Sequence, residues 1–139
     1  MAKFLHAMIR TTDPKASIEF YTEGLGLNLI QQKDYPEAGF SLYFLGETET
    51  GPMVELTHNH DDRDYQNGDQ FGHLAYQVDN IYEMCEHLQA CGVTILRPPR
   101  DGRMAFVKDP NGISIELLQK GPALELAEPW QSMASQGSW

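Results

Sequence analysis

The 139-residue chain reads as an α+β fold made of two successive βαβββ modules. Three observations predict it. The chain repeats itself at long range, its apolar residues pass twice from alternating to helical spacing, and strong turn residues separate the short runs. "FLHAMIRTTDPKASIEFYTEGLGLNLI" aligns with "FGHLAYQVDNIYEMCEHLQACGVTIL", and later "MVELT" matches "SIELL". The histidines His6 and His73 lie 73 − 6 = 67 positions apart, and Glu55 and Glu116 lie 116 − 55 = 61 apart, so the second copy is shorter in its loops. The expected organisation is a first module over 1–68 and a second over 69–120, one domain together, followed by a tail over 121–139.

Each element has local grounds. The first strand carries "FLHAMIR". Asp13 can cap the following helix, Pro14 suits its first position, and Gly24 or Gly26 ends it. Ile18, Phe20 and Tyr21 supply its apolar stripe. Three strands follow, at 27–33, 40–46 and 52–58. In the second copy a strand through His73 leads to a helix that starts near Asp79 or Asn80 and ends at Gly92, with Ile81, Met84, Cys85 and Leu88 at helical spacing. Strands at 93–97, 103–108 and 113–119 complete that module, the last two joined by "DPNG" at 109–112, a strong turn signal. The tail "GPALELAEPWQSMASQGSW" breaks the pattern. Trp130 and Trp139 leave both a docked and a loose segment open.

Composition narrows the function. The hydrophobic fraction of 41% and aromatic fraction of 10% are those of an ordinary globular domain. No apolar run approaches the ~20 residues needed to span a bilayer, and the start "MAKFLHAMIR" lacks the features of a signal peptide, so a cytoplasmic location without membrane attachment is expected. A net charge of −10 argues against nucleic acid as a partner, since phosphate contacts require a basic face. Cys85 and Cys91 have neither metal-motif nor disulfide-framework spacing and are expected to be free thiols.

Strand parity sorts the polar residues. Phe4, His6, Met8 and Arg10 share one face of the first strand, against Leu5, Ala7 and Ile9. Phe71, His73, Ala75 and Gln77 oppose Leu74, Tyr76 and Val78. Met53, Glu55, Thr57 and Asn59 oppose Val54 and Leu56, while Ser114, Glu116 and Leu118 oppose Ile113, Ile115 and Leu117. The aliphatic faces are expected against the helices, which leaves His6, His73, Glu55 and Glu116 on the other face. An unpaired carboxylate in a buried strand costs several kcal/mol, and two in equivalent places repel unless a cation lies between them. Two imidazoles with two carboxylates form an N₂O₂ set suited to a divalent transition metal, leaving two octahedral positions for neighbouring substrate oxygens. A single strand His is more often a hydrogen-bonded core residue, but matched ligand-type residues in both copies favour the metal site. His58 has the opposite parity, His60 lies in the acidic loop "NHDDRDY", where solvation is expected, and His87 falls on the second helix as a surface residue.

With these residues assembled, the chain over 1–120 resembles the glyoxalase I (lactoylglutathione lyase) family of the vicinal oxygen chelate superfamily, through "HAMIRTTDPKASIEFYTEGLGL", "VELTHN", "FGHLAYQVDN" and "FVKDPNGISIELL". The resemblance implies a curved mixed sheet around the metal site and a homodimer whose sites take His6 and Glu55 from one subunit and His73 and Glu116 from the other. It implies one divalent ion per site, nickel or cobalt in the short bacterial form, with zinc as a further option. The implied substrate is the hemithioacetal of glutathione and methylglyoxal. Arg10 and Asn59 match residues that hold the γ-glutamyl end. Arg10 lies about 13 Å from His6 along the strand at ~3.3 Å per residue. Where the family carries a Gly-rich basic loop this chain has only "RPPRDGRM", so Arg100 or Arg103 is the candidate for the glycine carboxylate. The expected reaction is metal-assisted proton transfer through an enediolate, with Glu116 as general base and Glu55 as its symmetric counterpart. The alternatives are another metal-dependent enzyme of the superfamily (an extradiol dioxygenase or an epimerase) and a non-enzymatic antibiotic-binding module. Glu55 speaks for glyoxalase I, because the epimerases carry an amide there and the dioxygenases use a single carboxylate.

Overall fold

A computed structural model describes all 139 residues. The chain divides into two compact units, Met1–Gln66 and Asn67–Trp139.

In the first unit, β1 (His6–Arg10) leads to α1 (Pro14–Glu19), then to β2 (Asn28–Tyr35), β3 (Phe40–Gly46) and β4 (Met53–Asn59). The Asp13 side chain accepts from the Ala16 amide at 3.0 Å and starts α1 with Pro14 in its first turn. The helix does not stop at Glu19 but widens into a π-helical turn, Phe20–Gly24, in which the Leu25 amide reaches back to the Phe20 carbonyl at 3.0 Å. That turn buries Phe20 and Tyr21 together, and Gly26 at φ +78° then reverses the chain as only glycine does cheaply. The sheet runs β1-β4-β3-β2, with β1 and β4 parallel and the other pairs antiparallel. Ile9, Val54 and Leu56 are buried, as their shared parity predicts. Leu5 departs from that expectation: it precedes β1 and is exposed.

The second unit has β5 (His73–Val78), α2 (Ile81–Ala90), β6 (Met104–Lys108) and β7 (Ser114–Gln119) in a sheet ordered β5-β7-β6. Asn80 caps α2 through its side-chain oxygen, which accepts from the Tyr82 and Glu83 amides. Buried Gln119 secures the same end, accepting from the Ile81 amide and donating to the Asp79 carbonyl, each at 2.8 Å. Ile81, Cys85 and Leu88 are sealed against the sheet, with Ile115 and Leu117 equally buried. At the β6–β7 turn Asp109 Oδ1 accepts from the Asn111 and Ile113 amides, and Gly112 takes φ +79°.

The strand expected at 93–97 does not form. Only Arg97 bridges to Phe106, because Pro98 and Pro99 follow and cannot donate to a ladder. The tail takes over that edge. The Gln136 amide donates to the Leu96 carbonyl at 2.9 Å, the Leu124 amide donates to the Gly102 carbonyl at 3.0 Å, and Tyr82 donates its hydroxyl to the Glu125 carbonyl. Trp130 is buried, its ring parallel to Tyr82 at 6.4 Å. Burying an indole of ~150–250 Å² contributes about 4–6 kcal/mol of gross transfer free energy at ~25 cal/mol per Å². The tail is therefore docked. No helix is long and apolar enough to cross a membrane.

Candidate metal centre

In the first unit β1 and β4 run side by side, with Met8 opposite Glu55 and His6 opposite Met53. His6 is thus a diagonal neighbour of Glu55 on the same face, within side-chain reach. Its Nε2 meets Glu55 Oε2 at 2.7 Å, with the imidazole 39% and the carboxylate 14% exposed. Phe44, directly opposite Glu55 on β3, sets its ring edge-to-face against His6 at 5.9 Å and 82°. The second unit builds the same object from different sequence. Glu116 stands opposite Ala75 on β5 and opposite Phe106 on β6. His73 Nε2 meets Glu116 Oε2 at 2.9 Å with exposures of 41% and 14%, and Phe106 meets the His73 ring at 5.2 Å and 84°. Each unit so presents one ring nitrogen and one carboxylate oxygen at a single point, backed by a phenylalanine.

The surroundings of the two pairs differ. A groove of about 640 Å³ opens beside His6, lined by Lys3, Ile30, Phe44, Glu49 and Met53 among others. Lys33 Nζ lies 6.0 Å above the Phe44 ring. In the second unit the equivalent ring, Phe106, is covered by the Trp139 indole at 5.9 Å and 25°. Phe44, Phe106 and Trp139 are absent from the residues that strand parity singled out. The internal repeat held a signal for the first two, since each sits opposite the repeated glutamate on the neighbouring strand.

The donor set fits a divalent transition metal in kind: imidazole nitrogen and carboxylate oxygen, already converged in pairs. Neither unit alone gathers three or more His, Cys, Asp or Glu side chains at one point.

The remaining sequence candidates fall as follows. Arg10 ends β1 opposite Thr57 and is exposed. Asn59 ends β4, where its amide donates to the Tyr65 hydroxyl at 2.7 Å. Arg100 is engaged by the tail, donating to the Met133 carbonyl and the Ser135 hydroxyl, both at 3.0 Å. Arg103 is exposed, its backbone amide held by Asp101. His58 turns to the Thr11 carbonyl at 3.1 Å. His60 is exposed, as expected, and also bonds the Ser41 hydroxyl at 2.8 Å and lies 5.5 Å from the His58 ring. His87 is on the exposed side of α2, its Nε2 3.7 Å from Cys91 Sγ. Cys85 is buried and Cys91 exposed, both free.

The model of the Glyoxalase/Bleomycin resistance protein/Dioxygenase superfamily matches residues 3–117. The lactoylglutathione lyase of Neisseria meningitidis is 41% identical over 126 residues, covering 85% of this chain and 91% of that protein. A probable lactoylglutathione lyase of Synechocystis sp. is 42% identical over 123 residues, covering 83% and 93%. Among solved structures, the trypanothione-dependent glyoxalase I of Leishmania major superposes with a TM-score of 0.81 at 37% identity, covering 86% of this chain and 87% of that one. On this likeness in sequence and fold, the chain belongs to the glyoxalase I (lactoylglutathione lyase) family of that superfamily.

Proposed function

We propose that this chain converts the hemithioacetal of methylglyoxal and glutathione to S-lactoylglutathione. The observation that carries the reading is the duplicated His–Glu pair, His6 with Glu55 and His73 with Glu116, set at matched strand positions. These residues would hold one divalent ion, two ligands from each module. Nickel or cobalt suits the mixed nitrogen and oxygen donors, and zinc shares them.

The half-sets would be completed in a homodimer, one from each subunit. Supporting this, exposed Phe4, Leu5 and Met8 surround His6 in sequence and exposed Phe71 precedes His73. Apolar residues of that size beside a polar centre suit coverage by a second copy.

When bound, the ion supplies Lewis-acid stabilisation of negative charge on two neighbouring substrate oxygens. The chain's residues do the rest. Glu116 takes the proton from the hydroxyl-bearing carbon and returns it to the adjacent one, while the hydroxyl proton passes to the former carbonyl oxygen, so the thioester carbonyl and the new alcohol form together. Without the ion His73 Nε2 meets that carboxylate at 2.9 Å, with the ion bound both would turn to it, and Phe106 packs against the imidazole. Glu55 has the same exposure and the same kind of partner, which makes it the counterpart base. Arg10 would pair with a carboxylate at the γ-glutamyl end, aided by Asn59. With Arg100 held by the tail, exposed Arg103 is the better placed of the two for the glycine carboxylate.

Stripped protein reconstituted in turn with nickel, cobalt, zinc and iron, then given methylglyoxal and glutathione, tests the reading. Thioester absorbance should appear with nickel and cobalt. Its absence with every metal would overturn the assignment. Trypanothione in place of glutathione, with much the faster turnover, would reassign the thiol.

A further inference from the structure

Phe106 forms part of the centre in the second unit, since its ring edge meets His73. Phe106 is only 7% exposed, and the Trp139 indole is stacked on it. That indole belongs to the last residue of a tail that is otherwise fixed along its length: Trp130 is buried, Arg100 holds Met133 and Ser135, and the Gln136 amide is bonded to Leu96. Trp139 itself is 45% exposed. A side chain delivered by a docked segment onto the aromatic ring beside a metal ligand, yet open on its outer side, has the form of a wall.

The matched ring in the first unit is treated differently. Phe44 faces a lysine ammonium and an open, partly charged groove. The contrast indicates what each would accept. Two stacked rings present an apolar surface whose one polar donor is the indole N–H, so a carboxylate would lie largely unpaired there, which is costly. They suit an alkyl or aryl group.

We propose that Trp139 is a specificity-determining residue that bounds the space for the aldehyde-derived substituent of the substrate, next to His73 and Glu116. This rests on the reading that His73 and Glu116 belong to the catalytic centre. A methyl group fits beside the indole, while a bulky substituent is disfavoured until the indole is removed.

The test compares glutathione hemithioacetals of methylglyoxal and phenylglyoxal in nickel-loaded wild type, Trp139→Ala and Trp139→Phe. Trp139→Ala should raise the phenyl-to-methyl ratio of kcat/KM about tenfold or more, chiefly through KM. Trp139→Phe, which keeps a stacked ring, should stay near the wild-type ratio. A second readout does not depend on turnover. In Trp130→Phe protein Trp139 is the sole indole, and S-benzylglutathione, an unreactive thioether, should quench or shift its emission. A ratio within twofold of wild type in Trp139→Ala, or an emission indifferent to the thioether, would overturn the proposal. Absent turnover of methylglyoxal by wild type would instead count against the lyase reading, with the emission response still deciding the role of Trp139.

Discussion

Replacing Glu116 by Gln separates chemistry from architecture. The two side chains have nearly the same shape, so β7 keeps its pairing with β5 and β6. The amide oxygen can still accept from His73 Nε2, now 2.9 Å from the carboxylate. What disappears is the charge and the basicity. Losing the charge-assisted part of one hydrogen bond costs about 0.5–1.5 kcal/mol. With a carboxylate only 14% exposed, relief of its desolvation offsets part of this. Stability of the stripped protein should therefore change by no more than about 1 kcal/mol in either direction. A positioned general base contributes about 10²–10⁴-fold, or roughly 3–5 kcal/mol at 1.36 kcal/mol per decade. Turnover should fall by about a thousandfold, and the metal, counted per chain by elemental analysis, should be largely retained by the other donors. The assay is thioester formation at saturating metal. A variant that keeps a tenth or more of wild-type turnover would remove Glu116 from the role of base.

Other consequences reach the rest of the chain. Gly102 sits at φ +69° with the Leu124 carbonyl where a Cβ would be. Gly102→Ala should free the start of the tail and lower stability by about 2–4 kcal/mol, by collision and left-handed backbone cost together. Faster proteolysis within 121–139 and a lower Tm would check it, and an unchanged Tm would refute it. Burial pushes the Cys85 thiol up from 9.0 to about 12. Burial, and then the charge of Asp109, pushes the Tyr76 phenol from 10.0 to about 12. Both folded-state values are raised, so their stabilising effect is fully present below pH 9 and is lost as pH rises through 12. The slope is about 1.4 kcal/mol per pH unit for each group, starting earlier for Cys85. Wild type should lose stability against Cys85→Ala between pH 9 and 11 in denaturant titrations, and parallel curves would contradict the burial effect.

The repeat and the strand parity made most of the first unit legible. Alternation put Ile9, Val54 and Leu56 inward and left His6 and Glu55 together on the open face. The same parity paired His73 with Glu116 across strands far apart in sequence. Expectation failed where local pattern met tertiary competition. "VTILR" alternates well enough for a strand, but two prolines end it and the tail claims the Leu96 carbonyl. The widening of the first helix over Phe20–Gly24 has no signature in helical spacing. The tail's docking depended on Gly102, Tyr82 and Arg100, residues that no periodicity connects to Trp130. His60 is exposed, as its acidic loop suggests, but its ring also turns back to Ser41. Those are long-range hydrogen bonds, which a residue pattern does not encode.

The most direct test of a centre shared by two subunits is complementation between two dead chains. His6→Ala/Glu55→Ala removes one half-set, and His73→Ala/Glu116→Ala removes the other. Mixed under conditions that exchange subunits, half the dimers are heterodimers, and each carries one intact four-ligand site and one empty site. Activity per chain should then return to about a quarter of wild type. Mixtures as inactive as either parent, despite verified exchange, would mean that the two His–Glu pairs do not meet across a subunit boundary.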